Sequence, residues 1–230
     1  MDITKYYYIS EPVFGLLEKD EIDLLKSKIQ HKLFRKHQDI FLEDTYPKGV
    51  YILNKGKVKI YQNTHHGREQ IISIHIENEI FGYRPLLCNE KYPVSARAIE
   101  DCRIDFIPKK DFLLLLSRSV KLSNALLKNL SYEFTVWVNS ITTLGQRSVK
   151  ERLLINILIL TEKYRTKKKW PVEITLSRMD LASLTGTSIE TIARLIKFLK
   201  EEKIISLKGR TIVVSSNAQV DKILKHLSPV

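Results

Sequence analysis

The sequence predicts an α+β chain in three parts: a β-rich N-terminal domain, a long amphipathic helix, and a C-terminal domain of helices with a β-hairpin. Three observations predict it. From Lys32 to Pro108, short runs rich in Ile, Val, Tyr and Phe alternate with turn signals. From Val120 to Gln146, large apolar residues recur at helical steps, and from Leu176 onward two short helical patterns precede two β-rich runs around a glycine. A chain of 230 residues can build two modest cores without metal or disulfide staples, and 43% hydrophobic with 28% charged residues excludes wholesale disorder.

Residues 12 to 30 (PVFGLLEKDEIDLLKSKIQ) read as short helices, with Phe14, Leu17, Ile22, Leu25 and Ile29 at roughly helical spacing. The β-rich region is punctuated at Pro47-Lys48-Gly49, Asn54-Lys55-Gly56, His65-His66-Gly67 and Phe81-Gly82, which predicts a small barrel or sandwich. His65 and His66 read as exposed turn residues rather than metal ligands.

In the long helix, Leu127, Leu130, Phe134, Trp137, Ile141 and Leu144 recur at steps of 3, 4, 3, 4 and 3, the pattern of a coiled-coil seam. A single amphipathic helix usually packs on its own domain. Here Leu126, Val136 and Val138 can face the barrel, which leaves the seam for a twin helix and predicts a homodimer. Gly145 marks the expected hinge, because glycine lowers helix stability by about 1 kcal/mol relative to alanine. A second helix is expected from about Ser148 to Tyr164, then a basic loop from Arg165 to Lys169. The expected domains are 1–117, 118–146 (dimerisation helix and hinge) and 147–230.

The formal charge is +12, and from Ser148 to Val230 there are 16 Lys and Arg against 8 Asp and Glu. A localised basic excess of this kind suits a polyanion partner such as double-stranded DNA. Within it, Ser177 and Asp180 resemble a capping box that starts a helix over Arg178 to Thr185. Gly186 stops that helix and Ser188 caps the next, whose apolar face is Ile192, Leu195, Ile196 and Leu199. Two short helices around such a turn make a helix-turn-helix. Glu190 and Arg194 are four apart and project from one side of the second helix, with Thr191 and Ile189 beside them. A carboxylate can accept from cytosine N4, and a guanidinium can fork onto guanine O6 and N7, each pair contributing about 1 to 3 kcal/mol of discrimination. The simpler reading is a solvated ion pair contributing about 0.3 to 0.5 kcal/mol. The next segment decides between them: Ile204 to Leu207 and Thr211 to Val214 flank Lys208-Gly209-Arg210, a hairpin with a basic tip, so the unit is a winged helix-turn-helix. Thr187, Ser188, Ser177, Lys197, Lys208 and Arg210 are its candidate phosphate contacts.

On Asp180-Leu181-Ala182, Gly186, Ser188, Glu190-Thr191, Arg194, the wing, the long helix and the glycine-punctuated barrel, the chain resembles the Crp/Fnr family of bacterial regulators over nearly its whole length. The resemblance implies an N-terminal double-stranded β-roll, jelly-roll-like and related to cyclic-nucleotide-binding domains. It also implies a dimer that reads a pseudo-palindrome, and RNA polymerase as a partner. Ile189 stands where cAMP-responsive members carry arginine, which is more similar to readers of an Fnr-type half-site with a TTGA core.

In the family, the cAMP cassette begins Phe-Gly-Glu and runs to an Arg-Ser or Arg-Thr pair. This chain has Phe81-Gly82-Tyr83-Arg84, and Tyr92-Pro93 aligns with the later pair, so cAMP binding in the usual way is not expected. Arg84 and Arg97 could offer charge to a different anion, with Ser95 nearby, although isolated arginines read more simply as solvated surface residues. Cys88 and Cys102 are too few for a four-thiolate Fe–S cluster, and they read as buried small hydrophobes rather than a redox pair. No cofactor or metal is expected. Two cysteines, no signal peptide and no bilayer-length apolar run suit a cytoplasmic protein that does not engage membranes. The sequence offers no arrangement of catalytic side chains, so the chain reads as a non-enzyme; the competing reading is a ligand-binding regulatory module acting on a protein partner.

Overall fold

A computed structural model describes every residue except 1, 11, 13, 14, 16, 65, 66, 166–168 and 228–230. The expectations at Phe14 and at the His65-His66 turn, and the middle of the basic loop, fall outside the described residues. The fold is α+β: a β-roll, a long helix and a winged helix-turn-helix. The chain divides into two compact units, one of residues 9–132 and one of residues 1–8 with 133–230.

In the first unit, α1 (Lys19–Lys26) precedes eight strands: β1 (Gln30–Phe34), β2 (Asp39–Phe41), β3 (Gly49–Lys55), β4 (Val58–Asn63), β5 (Glu69–His75), β6 (Ile80–Phe81), β7 (Ser95–Ala98) and β8 (Cys102–Pro108). A short α2 (Arg84–Cys88) lies between β6 and β7, and α3 (Lys109–Arg118) follows β8. The strands form two antiparallel sheets, β1-β8-β3-β6 and β2-β7-β4-β5. Strand β3 explains the layering. Its Tyr51 and Leu53 join Val58, Ile60, Ala96 and Ile104 in a core supplied by both sheets, while Val50 and Ile52 join Leu25, Phe112, Leu115, Leu122 and Leu126 in a core against the helices. A strand covered on both faces reads as a continuous apolar run, as VYIL does here.

The long helix α4 (Val120–Gln146) begins in the first unit and ends in the second. Leu126 is buried as expected, but Val138 is exposed, so it does not face a core. Gly145 remains helical. The break falls after Gln146, where the Ser148 hydroxyl and the Glu151 carboxylate form a reciprocal capping box that starts α5 (Val149–Tyr164). A lone glycine costs less than the helical hydrogen bonds around it provide, whereas a capping box fixes a new start outright.

The second unit continues with β9 (Val172–Ile174), α6 (Arg178–Thr185), α7 (Ile189–Glu201), β10 (Ser206–Lys208), β11 (Thr211–Val214) and α8 (Asn217–Lys225). The wing is a three-stranded sheet, β10-β11-β9, rather than a bare hairpin. Its core is the fully buried stripe of α5, Leu153, Leu154, Ile157 and Leu158, with Ile174, Leu181, Ile192, Leu199 and Ile212.

Candidate nucleic-acid interface

The turn between α6 and α7 is fixed by residue chemistry. Ser177 caps α6 by accepting from the Asp180 amide at 3.0 Å, and its hydroxyl donates to the Asp180 carboxylate at 2.6 Å. Gly186 ends the helix in the left-handed conformation, φ 69°, which favours a residue without Cβ. Ser188 then accepts from the Thr191 amide at 3.2 Å and opens α7. Behind the turn, Arg152 of α5 donates to the carbonyls of Thr185 (2.9 Å) and Gly186 (3.1 Å) and, across the helix break, to that of Arg147 (3.0 Å). Asn156 adds a bond to the Leu184 carbonyl. These two residues hold the carbonyl end of α6, and neither is prominent in the sequence pattern because each acts on backbone far along the chain.

With Ile192, Ile196 and Leu199 buried, the opposite face of α7 presents Ile189, Glu190, Arg194 and Lys197, all exposed, with Thr191 half-buried. The Thr191 hydroxyl accepts from Arg194 at 3.4 Å, which steers the guanidinium along the helix face. Thr187 lies half-buried in the turn, its amide bonded to the Ala182 carbonyl. Lys197 is loosely paired with Glu201 at 3.9 Å, and Lys208 reaches Glu173 on β9 at 3.3 Å; both lysines are 78% exposed, so water screens these pairs and leaves the ammonium groups available to phosphate. Ser177, in contrast, has its hydroxyl committed to its own cap.

The structure adds Arg178, which sequence reading passed over as the first residue of a helix. One guanidinium nitrogen, Nη1, is enclosed with no hydrogen-bond partner among the described residues. Burial, and then the charge of Arg210 on the wing, push this guanidinium below its ordinary pKa. Arg178 and Arg210 thus add two like charges on the helix and the wing, which a phosphate could offset.

The cassette residues of the β-roll fall into different environments. Phe81 and Tyr92 lie in the core between the sheets, where Tyr92 stacks on Phe41 with ring centroids 3.8 Å apart and its hydroxyl donates to the Gly82 carbonyl at 3.3 Å. Gly82 adopts φ +79°, and a Cβ there would lie 3.0 Å from the Tyr51 ring. Tyr83 is drawn into the other core, against the helices. Burial pushes the Tyr51 phenol up to about 12 and raises that of Tyr92, so both stay neutral at physiological pH. Arg84 is exposed at the start of α2, and Ser95 is buried, accepting from the Glu43 amide.

Arg97 is not the solvated arginine that its isolation in sequence suggests. Its guanidinium meets Asp39 at 2.7 Å, Glu69 at 2.5 Å and the Tyr61 hydroxyl at 2.7 Å, and Glu69 in turn holds Lys59 at 2.5 Å. The partners lie 58 and 28 residues away in the chain, so only the pairing of β2, β7, β4 and β5 brings them together. Cys102 is buried as expected and its thiol is pushed up to about 11 by burial, whereas Cys88 is exposed. Among the described residues, no helix is long and apolar enough to cross a membrane.

Residues 31–119 match the family model of the cyclic nucleotide-binding domain, and residues 151–219 that of the Crp-like helix-turn-helix domain. The chain belongs to the Crp/Fnr family. Members of this family are transcription regulators, and this one carries their helix-turn-helix DNA-binding domain. It is 26% identical over 207 residues to the fumarate and nitrate reduction regulatory protein of Vibrio cholerae, covering 89% of this chain and 82% of that one. It is also 26% identical over 212 residues to the cyclic AMP receptor protein of Thermus thermophilus, covering 92% and 96%. In fold it is similar to FixK2 from Bradyrhizobium japonicum, with a TM-score of 0.78 at 21% identity over 88% of this chain and 98% of that one.

Proposed function

We propose that this Crp/Fnr regulator binds a pseudo-palindromic DNA site as a cytoplasmic homodimer and that it does so without cAMP bound in the family's usual manner. The observation that carries the reading is the outward face of α7. Ser188 and Gly186 set its N-terminal end, Glu190 and Arg194 stand on it, and the Lys208–Arg210 wing tip flanks it. In this reading Glu190, Thr191, Arg194 and Ile189 read base edges, while Ser188, Thr187, Lys197, Lys208, Arg210 and Arg178 hold phosphates.

Dimerisation is supported by the seam of α4. Leu127, Phe134, Trp137, Ile141 and Leu144 are each between 49% and 69% exposed, a row of large apolar side chains that a twin helix would cover. Leu130 is partly committed to its own domain core. The departure from cAMP is supported by Tyr92, which fills the core where the family places a phosphate-binding arginine, and by Tyr83, which replaces the ribose-binding glutamate. RNA polymerase is the partner that family membership suggests.

A selection from random DNA tests the reading. The expected product is an inverted repeat whose half-sites contain a G·C pair lost with Arg194→Ala. Absence of any enriched inverted repeat would overturn it in favour of a module that regulates a protein partner. In parallel, sedimentation of a Phe134→Glu, Trp137→Glu variant is expected to show monomers where the parent shows dimers.

A further inference from the structure

Residues 2–8 fold with the DNA-binding unit, although the chain must cross the whole sensor unit before that unit resumes at Glu133. Asp2 caps a single 3-10 turn, Ile3–Tyr6, by accepting from the Thr4 amide at 3.0 Å, and this turn lies against α5. The carbonyl of Lys5 accepts from Asn139 Nδ2 of α4 at 2.9 Å. Two residues on, the half-buried Tyr7 phenol is pushed up by burial and then by the charge of Glu162, in the last turn of α5. Glu162 pairs with Arg165 at 2.6 Å; Arg165 stacks over Trp170 at 5.2 Å and reaches Asn217, the first residue of α8, at 3.5 Å.

The segment therefore bonds to α4 before the helix break at Arg147 and Ser148, and lies against α5 after it. Helix, break, helix and segment close a ring. We propose that residues 2–8 are a strap that fixes the angle between α4 and α5 and so positions the recognition helix relative to the dimer seam. Arg152 carries the constraint onward, since it ties the break (Arg147) to the turn that ends α6 (Thr185 and Gly186). At Ile9 the strap runs directly into the sensor unit, giving the two units a second covalent connection besides α4. A change in the sensor can then act on the hinge through the strap as well as through the helix. The inference rests on the dimeric DNA-reading function above.

The test compares the full chain with a variant lacking residues 2–8 and with a Tyr7→Ala, Asn139→Ala double variant that keeps the chain at full length. Affinity is measured on inverted repeats whose spacer is lengthened or shortened by one and two base pairs, with Arg194→Ala as the control for specific binding. The parent is expected to prefer one spacing by about 10-fold or more, and both strap variants to flatten that preference while still losing affinity on Arg194→Ala. Hydrogen exchange at the Arg147 and Arg152 amides, bonded to the Thr143 and Ser148 carbonyls, should quicken by about 10-fold in both variants. An unchanged spacing optimum with unchanged exchange in the double variant overturns the strap and leaves the DNA-reading function standing. A parent without any Arg194-dependent spacing optimum overturns that function and the strap with it.

Discussion

In the β-roll, Arg97 lies between two carboxylates and a phenol, and Tyr92 stacks its ring in the core; in the DNA-binding unit, Arg194 meets the Thr191 hydroxyl and Arg178 feels the like charge of Arg210. Both regions match family models, the cyclic nucleotide-binding domain and the Crp-like helix-turn-helix domain, and both carry charged or polar side chains. One region satisfies those groups internally. The other leaves Arg194 exposed on α7 and encloses one Arg178 nitrogen that has no partner among the described residues. Buried polar groups must be paired, and Arg97 and Tyr92 find their partners within the β-roll itself, as the proposed departure from cAMP requires. An interface that still meets a polyanion keeps unpaired donors, because the partner supplies the acceptors.

The comparison can be broken most sharply at Tyr92. If its ring is structural filling, Tyr92→Ala costs about 3 to 5 kcal/mol in chemical denaturation, as for other large aromatic truncations in cores, while Ile189→Ala on the exposed face of α7 stays within about 0.5 kcal/mol. A Tyr92→Ala loss below about 1 kcal/mol would mean that the ring sits in a space prepared for something else.

Next in size is a pH effect confined to the β-roll. Burial holds the Cys102 thiol at about 11 against an ordinary 9.0, so the unfolded chain loses this proton first. The favourable contribution is therefore complete below pH 9 and is lost as pH rises to about 11, a fall of about 2 to 3 kcal/mol. Cys102→Ala should flatten the stability profile in that window, and parallel profiles for variant and parent would contradict the assignment.

The sequence made the DNA-binding unit more legible than the sensor for the same physical reason. Ser148, Ser177, Gly186 and Ser188 act within a few residues of themselves, so the starts of α5, α6 and α7 and the stop of α6 can be read locally. The seam of α4 is likewise a local repeat. What sequence reading missed depends on distant partners. Strand β9 is three residues long and exists by pairing with β11, forty residues on in round terms. The clamp on Arg97, the hold of Arg152 on the turn, and the attachment of residues 2–8 to α5 all join segments that no local pattern connects. Gly145 marked the neighbourhood of the helix break, which falls just beyond it because the Ser148 cap fixes the start of α5.

The smallest effects sharpen the distinction within the interface. Lys208→Ala should weaken all DNA sequences alike, by a few-fold, and lower the slope of log affinity against log salt by about 1, because it removes one phosphate contact and no base contact. A change in sequence preference with Lys208→Ala would move the wing into base reading.

The central claim is that α7 reads bases through Arg194 on a face left open while the sensor cassette is closed on itself. Its most direct test is a fluorescence anisotropy titration of the parent and Arg194→Ala against the selected inverted repeat, versions with each half-site base pair exchanged, and random DNA, all at one salt concentration without added nucleotide. The prediction is parental discrimination at one G·C pair per half-site that disappears in Arg194→Ala, with affinity for random DNA nearly retained. Equal losses on selected and random DNA, or parental binding that appears only when cAMP is added, would contradict it.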